Sequence, residues 1–463
     1  MTKSLSLLDV QHIKSISALS NEPQWLRKYR QDSLATYDNL PLETSPLYNK
    51  YTDAAKMNPQ DISVSNDTNE GRPPILVRRL EDLKTESYAL QTGTQVQVQL
   101  TEDMLSKGVT ILPISEAVSK YSEILQSALK SSSSSEDRFT ALNNAAFNTG
   151  VFVHIPDNTI ISEPIHIVSA LTDDGISVIS RNVISTGANS DVKVVQELYG
   201  GDTNQAYLEL LNCIIGEGTQ MDITTLQMMN LESYNFSTRR TELARDSKTN
   251  SYLGLFGSQL SRYRVAHHLN GSGASANDSE VVFGNSSQSF DIQSEMIHSQ
   301  PHTEGRITEK SILRDKSRSL FKGMIRINPD ATKSNSYLSG RSILLSRDAK
   351  SDAIPGLEIL TNDVKATHSA SVAQIDEEQI FYLMSRCLSR EGAERVIVEG
   401  FLEPLSRRMS TQIRAWISHL IESKWKGRSL SINTDEELRK FVEVEEVRYN
   451  ENAEIEQHYK YRR

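Results

Sequence analysis

Three stretches of the chain differ in how their apolar positions are spaced. In the first, about residues 1–150, apolar residues recur at helical intervals between polar linkers. Leu7, Leu8, Val10, Ile13, Ile16 and Leu19 suit an amphipathic helix. Asn21 and Gln24 form a capping-box pattern ahead of a stripe made by Trp25, Leu26 and Tyr29. Residues 53–75 are polar and rich in Pro and Gly, which predicts a mobile loop. A further helix is expected over about 115–130, and the serine run in KSSSSSEDR reads as a flexible connector.

The second stretch, residues 151–375, changes period. Short β-type runs such as VFVHI, IHIVSA, DVKVVQEL, MDITTLQM, EVVFG and MIRINP follow one another, joined by Gly, Asn, Asp and Ser. No blade motif repeats, which argues against a propeller. Polar residues fall on both faces of many runs, as a solenoid with one solvated side permits. A parallel β-helix is therefore favoured over a sandwich. The third stretch, 376–426, returns to helix. Asp376 is a cap, Gln379 can reach back to it, and Ile375 can staple onto Ile380. EEQIFYLMSRCL starts the first helix, REGAERVIVEGFLEPL gives a second that Pro404 breaks, and SRRMSTQIRAWISHLIESKW gives a third. Residues 427–463 are a charged tail that suits a solvated helix.

The last β-type run holds the residue of most interest. In a strand over 364–372, Val364, Ala366, His368, Ala370 and Val372 share one face, and Lys365, Thr367, Ser369 and Ser371 share the other. A lone histidine on an apolar face, flanked by alanines, is either a core imidazole bonded to backbone or a metal ligand. One chain offering one ligand cannot hold a metal centre, so the second role requires a partner.

Composition narrows the rest. A chain of 463 residues can bury a substantial core. A net charge of −10 argues against nucleic acid as the main ligand. Two cysteines, Cys213 and Cys387, make no disulfide framework and fit a reducing compartment. Both stand among apolar neighbours and read as packed small hydrophobes. No apolar run suits a membrane span and no secretory leader pattern opens the chain, so a cytoplasmic protein is expected. There is no phosphate-binding GxxxxGK[ST] loop and no GxSxG elbow. GSGASA at 271–276 precedes a strand-type run rather than a helix, which favours a turn over a dinucleotide site. His298 and His302 have a metal-helix spacing, but Pro301 between them favours a β-loop. His267 and His268 point opposite ways in a strand and cannot chelate one metal together.

PGLEILTNDVKATHSASVAQIDEEQIFYLMSRCLSREGAERVIVEGFLEPL, residues 355–405, resembles the C-terminal signature of the SufB/SufD family of iron–sulfur cluster assembly proteins. LFKGMIRINPDATKSNSYLSGRSILLS, MIHSQPHTEG, GVFVHIPDNTIISEPIHI and EPQWLRKYRQDSLATY extend the resemblance over most of residues 20–420. It implies a right-handed parallel β-helix core between helical regions. It also implies a non-enzymatic scaffold that pairs with a paralogue, as SufB with SufD or as a homodimer, and docks the SufC ATPase through C-terminal helices. ATP then acts only through SufC. His368 in VKATHSAS matches the histidine of the SufD element VKCSHGAT, whose cysteine is Ala366 here. The places of the SufB cysteine and glutamate fall on Gly340 and Ser369, so the resemblance points to SufD. His368 is then the one cofactor and metal ligand candidate, for iron or a transient iron–sulfur cluster shared with the partner. Phe381, Tyr382, Phe401 and Leu405 are candidate anchors for SufC in the 376–426 docking domain. The alternatives are a SufB-like scaffold, or a polysaccharide-active β-helix with carboxylates in a groove.

Overall fold

The computed structural model describes residue 16 and residues 22–41, 63–64, 74–172, 176–200 and 205–459. The expected helix over 7–19 (Ile16 apart), the Asn21 cap and most of the 53–75 loop lie outside these. The chain divides into two compact units, residues 1–73 with 85–373, and residues 74–84 with 374–463.

The first unit is built on strands β1 (Ser63–Val64), β2 (Tyr88–Thr92), β3 (Gln95–Gln99), β4 (Thr110–Pro113), β5 (Val151–Ile155), β6 (Ile165–Ala170), β7 (Ile176–Thr186), β8 (Asp191–Tyr199), β9 (Gln205–Ile215), β10 (Gln220–Met228), β11 (Ser233–Leu243), β12 (Lys248–Leu255), β13 (Leu260–Leu269), β14 (Ser275–Gly284), β15 (Ser289–His298), β16 (Glu304–Leu313), β17 (Arg318–Ile327), β18 (Asn335–Leu344), β19 (Lys350–Ile359) and β20 (Lys365–Gln374). From β5 onward the odd strands stack in one sheet and the even strands in another. Pairing along both stacks is parallel, as in Thr225 opposite Leu253 and Ser237 opposite Tyr263. Each coil therefore runs up one sheet and down the other, which is a parallel β-solenoid. Antiparallel strands β3 and β4 close its first end.

Parallel register repeats every corner. Asn158, Asn189, Gly218, Asp246, Gly273, His302 and Lys333 all have positive φ, one per coil. Each donates its N–H to a carbonyl of the next coil, from Asn158 to Ala188 at 2.8 Å through to Lys333 to Asp363 at 2.6 Å. Gly and Asn tolerate that left-handed corner, which explains the residue types between the β-runs. GSGASA is one such corner. A Cβ on Gly271 would stand 2.0 Å from the Arg245 backbone nitrogen, so only glycine fits.

Two large apolar cores hold the unit, beside a smaller cluster of Leu171, Val178, Leu198, Tyr207 and Met229. One fills the solenoid, with Ile167, Val194, Leu211, Ile223, Val265, Ile292, Ile307, Ile325 and Leu338 among its members. The other lies under the N-terminal helices, where Leu26, Leu142 and Phe139 pack on Phe152, Leu208 and Phe236 of the odd sheet. The first of these helices, Gln24–Asn39, starts after Pro23, which gives no side-chain cap. The single helix expected over 115–130 is two, Ile114–Lys120 and Ser122–Ser131, divided at Tyr121. The serine run is not a free connector. Ser132 is buried, its carbonyl accepts from Asn144 at 2.9 Å, and its hydroxyl accepts from Asn212 at 2.8 Å.

The second unit is helical. Helix Glu377–Ser385 is capped by Asp376, whose carboxylate accepts from the Glu378 N–H at 2.9 Å. Helix Arg390–Ser406 runs past Pro404, which sits in its last turn rather than ending it. Helix Thr411–Trp425 follows, and helix Glu436–Tyr459 occupies the charged tail. That tail is not wholly solvated. Leu438 is buried, and Glu445 is buried 3.4 Å from Arg414. Cys387 is exposed in a left-handed conformation just beyond the first helix, not packed as its apolar neighbours suggested. Those neighbours, Met384 and Leu388, are themselves exposed.

Replacing Gly271 by Ala should force two coils apart at the corner. Chemical denaturation of Gly271→Ala should show a loss of roughly 2–4 kcal/mol, whereas Gly400→Ala, in the exposed interior of a helix with open space for a Cβ, should gain up to about 1 kcal/mol.

Candidate functional site

A solenoid buries the inward side chains of every coil except the last. Nearly all of β9 is buried, whereas most of β20 is exposed. Val364 and Ala366 pack against the solenoid core, and His368 continues their face by strand alternation. Its imidazole therefore stands on the inward side of the final strand, with no coil beyond to cover it, and it is exposed. Ile359, Leu360 and Val372 are also exposed at this end. Apolar interior thus meets solvent around His368.

One coil further in lies Gly340, on the inward face next to Leu338. A Cβ there would be 2.5 Å from the Phe321 ring and 3.6 Å from Glu309 Oε2. The Phe321 ring fills the space that a thiol at 340 would need. Ser369 points away from His368, and its hydroxyl donates to Ser339 Oγ at 3.1 Å. Neither position adds a metal ligand beside the imidazole. Among the described residues, no group of three or more His, Cys, Asp or Glu side chains could hold a metal ion. His368 alone does not make a complete metal site among the described residues.

The other histidines are internal. His298 is buried, 2.8 Å from Thr303 Oγ1 through Nδ1 and 2.9 Å from Ser336 Oγ through Nε2. Burial pulls its pKa down to about 4, so it stays neutral. His302 sits at the left-handed corner position, and the two do not form a helical pair. His267 faces Asp278 across the coil, with Nε2 3.3 Å from Oδ2. Cys213 is buried and its thiol is pushed up to about 12, mainly by burial, which makes it unreactive.

The solenoid interior holds acids that sequence reading did not single out. Glu209 is matched by a cation, since Arg239 Nη2 lies 2.9 Å away and Asn182 donates at 2.8 Å. Nearer the open end, Asp278 faces His267, and Glu280 and Glu309 have hydroxyl partners instead. Ser294 donates to Glu280 at 2.5 Å, and Ser311 donates to Glu309. Burial raises Glu280 well above the carboxylate range, with Asp278 and Glu309 adding repulsion. Burial raises Glu309 to about 8, opposed by hydrogen bonds from Ser311 and the Arg341 N–H. Period-two spacing with Ile307 was the available signal for Glu309, and nothing in the sequence told inward from outward acids.

Of the four helical candidates, Phe381 is 75% exposed and Tyr382 57%. Arg386 stacks on the Tyr382 ring. Phe401 is half-buried and Leu405 is buried at 2%. Leu405 is thus a core residue of its unit, on the side of helix Arg390–Ser406 shared with Val398 and Leu402, and is not available as a surface anchor.

These features define a β-solenoid with an accessible imidazole at an uncovered end rather than a residue set in a closed cleft. Residues 169–401 match the family model described as SUF system FeS cluster assembly, SufBD core domain, and residues 7–167 match the SufBD protein N-terminal region. The chain belongs to the SufBD family of iron–sulfur cluster assembly proteins. It is similar to the iron–sulfur cluster assembly protein SufD of Bacillus subtilis, 27% identical over 431 residues, covering 90% of this chain and 98% of the relative. It is also 24% identical over 434 residues to SufBD family proteins of Staphylococcus saprophyticus and Staphylococcus aureus, covering 90% of this chain and 92% of each. No helix among the described residues is long and apolar enough to cross a membrane.

A folded-state pKa raised above the unfolded value favours folding at low pH, and that advantage is lost as pH rises. For Glu309 the window is between about 4.5 and about 8. Glu309→Gln should flatten the fall in stability across this window. At pH 8 it should be more stable than the parent by roughly 2–4 kcal/mol, given about 1.4 kcal/mol per pKa unit, with little difference near pH 4. Urea unfolding at both pH values checks the sign.

Proposed function

We propose that this chain is a SufD-like scaffold subunit. Its solenoid end pairs with a SufB-like chain, and its C-terminal helices dock an ATPase of the SufC kind. The nascent iron–sulfur cluster is cargo, and the chain performs no chemistry of its own. The observation that carries this reading is His368, an exposed imidazole on the inward face of the last strand without other ligands beside it.

Physical chemistry supports the pairing. Strand β20 ends the even stack and β19 ends the odd stack, so each has one edge without a strand partner among the described residues. Such edges accept an added strand. A paralogue placed there would bury Ile359, Leu360 and Val372 and bring its own thiolate or carboxylate ligands to the imidazole. Neutral imidazole suits iron, and a mixed ligand set completed by two chains lets the cluster leave when they part. The similarity to SufD over 90% of the chain supports this assignment over that of a glycan-active solenoid. Phe381 and Tyr382 supply exposed aromatic surface of the kind that anchors interfaces. ATP-driven rearrangement of the docked ATPase would pull on the paired scaffolds and expose the shared site.

Affinity purification from the native cell should recover a paralogue and an ATPase with this chain. Recovery of the chain by itself would count against the assignment. His368→Ala should keep both partners and lower cluster transfer to apo-clients by roughly tenfold or more, in line with loss of a metal ligand. Unchanged transfer would remove the imidazole from the mechanism. Phe381→Ala with Tyr382→Ala should reduce ATPase retention by about tenfold while the paralogue stays bound.

A further inference from the structure

The face of β20 opposite His368 carries Lys365, Thr367, Ser369 and Ser371, and the function proposed above uses none of them. Register extends this face across the even sheet. Arg306 lies opposite Tyr337, Thr308 opposite Ser339, and Lys310 opposite Arg341. Their sequence neighbours Ile307 and Leu338 are in the solenoid core, so these six side chains lie on the outward side of the sheet. Lys310 and Ser339 are buried there, Arg306, Thr308 and Tyr337 are half-buried, and Arg341 is exposed. Ser369 joins the grid, with its Oγ 3.1 Å from Ser339 Oγ and 3.3 Å from the Tyr337 hydroxyl. The Arg306 guanidinium lies over the Tyr337 ring, 5.1 Å from its centroid, and Arg341 is exposed beside them.

Charge on this patch is unbalanced. Arg306 and Arg341 form no ion pair with a carboxylate among the described residues. The acid on the same face of β16 is Glu304, at the exposed start of the strand, and Glu309 points into the solenoid. Around the Tyr337 oxygen the groups are Ser369 and Ser339 hydroxyls and the Arg341 and Arg306 cations, in that order of effect. Together they hold the phenol below its usual range. A place that favours a phenolate favours any anionic oxygen brought to it. An arginine stacked on a ring keeps its N–H edges free, and guanidinium forks match oxyanions.

We propose that the outer face formed by Arg306, Tyr337, Ser339, Arg341 and Ser369 binds the phosphate group of a small molecule. The two guanidiniums neutralise the charge, and the phenol and serine hydroxyls donate to the remaining oxygens. Phosphate suits the patch better than a carboxylate because donors converge from three strands and need more than two acceptor oxygens.

Calorimetric titration of the full chain with inorganic phosphate, against chloride at matched ionic strength, tests this. Saturable phosphate binding is expected. Arg306→Gln with Arg341→Gln should weaken it at least about tenfold with unchanged circular dichroism, and Tyr337→Phe should weaken it less. Should the double variant misfold, Arg341→Gln alone carries the test, because that side chain is exposed. Phosphate heats no larger than those of chloride, or equal binding by the arginine variants, would overturn the site. Binding of a polyglutamate peptide without binding of phosphate would overturn it in favour of an acidic segment of another protein. The readout involves neither His368 nor co-purification, so its failure is separable from failure of the scaffold role.

Discussion

Parallel, in-register stacking of one coil on the next is the constraint from which the rest follows. Every coil satisfies its backbone groups and covers its inward side chains by means of the coil after it. The corner ladder shows how closely this is kept, with one left-handed residue per coil donating to the following coil from Asn158 to Lys333. Such an arrangement has no internal reason to stop, so the way it stops decides what the surface offers. At the first end, β3 and β4 turn antiparallel and close the stack. At the other, β19 and β20 end with their inward faces only partly covered.

The same register gives the final strand two different faces. Inward, it continues an apolar column through Ala366 to His368. Outward, it continues a grid of hydroxyls and cations through Ser369. Adjacent residues thus serve unlike environments because the side-chain period of a strand is two. The interior is equally divided along its length. Near Glu209, acid and Arg239 compensate each other. Near Glu280 and Glu309 the hydrogen-bond partners are serine hydroxyls and a backbone N–H rather than a matching cation, and the interior tolerates these acids by favouring their protonated forms.

Much of this was legible in the sequence, and the exceptions have physical causes. The β-runs and the helix after Asp376 carry strong local signals, period two in one case and a capping carboxylate in the other. The face of β20 followed from alternation alone. The coil repeat was harder to read, because its marker is a backbone conformation filled by Asn, Gly, Asp, His or Lys rather than by one residue type. Cys387 misled because apolar neighbours in a sequence predict burial only where their helix has a covered face. The serine run misled in the opposite direction. Its polarity suggests exposure, yet Asn144 and Asn212 supply the hydrogen bonds that let Ser132 be buried.

The histidine illustrates why exposure and alignment must be weighed together. Taken by its neighbours, His368 belongs to a core column, where a lone imidazole would lose solvation and need hydrogen-bond partners such as those of His298. Taken by its accessibility, it is a surface residue. Both descriptions hold because the column ends there. A side chain ordered by a core on one side and open on the other has little freedom to lose when a second surface arrives. The open end therefore supplies an oriented nitrogen atom, an unpaired strand edge and apolar surface at the same place. On the proposed scaffold reading, these are the three things a paired solenoid needs from this chain.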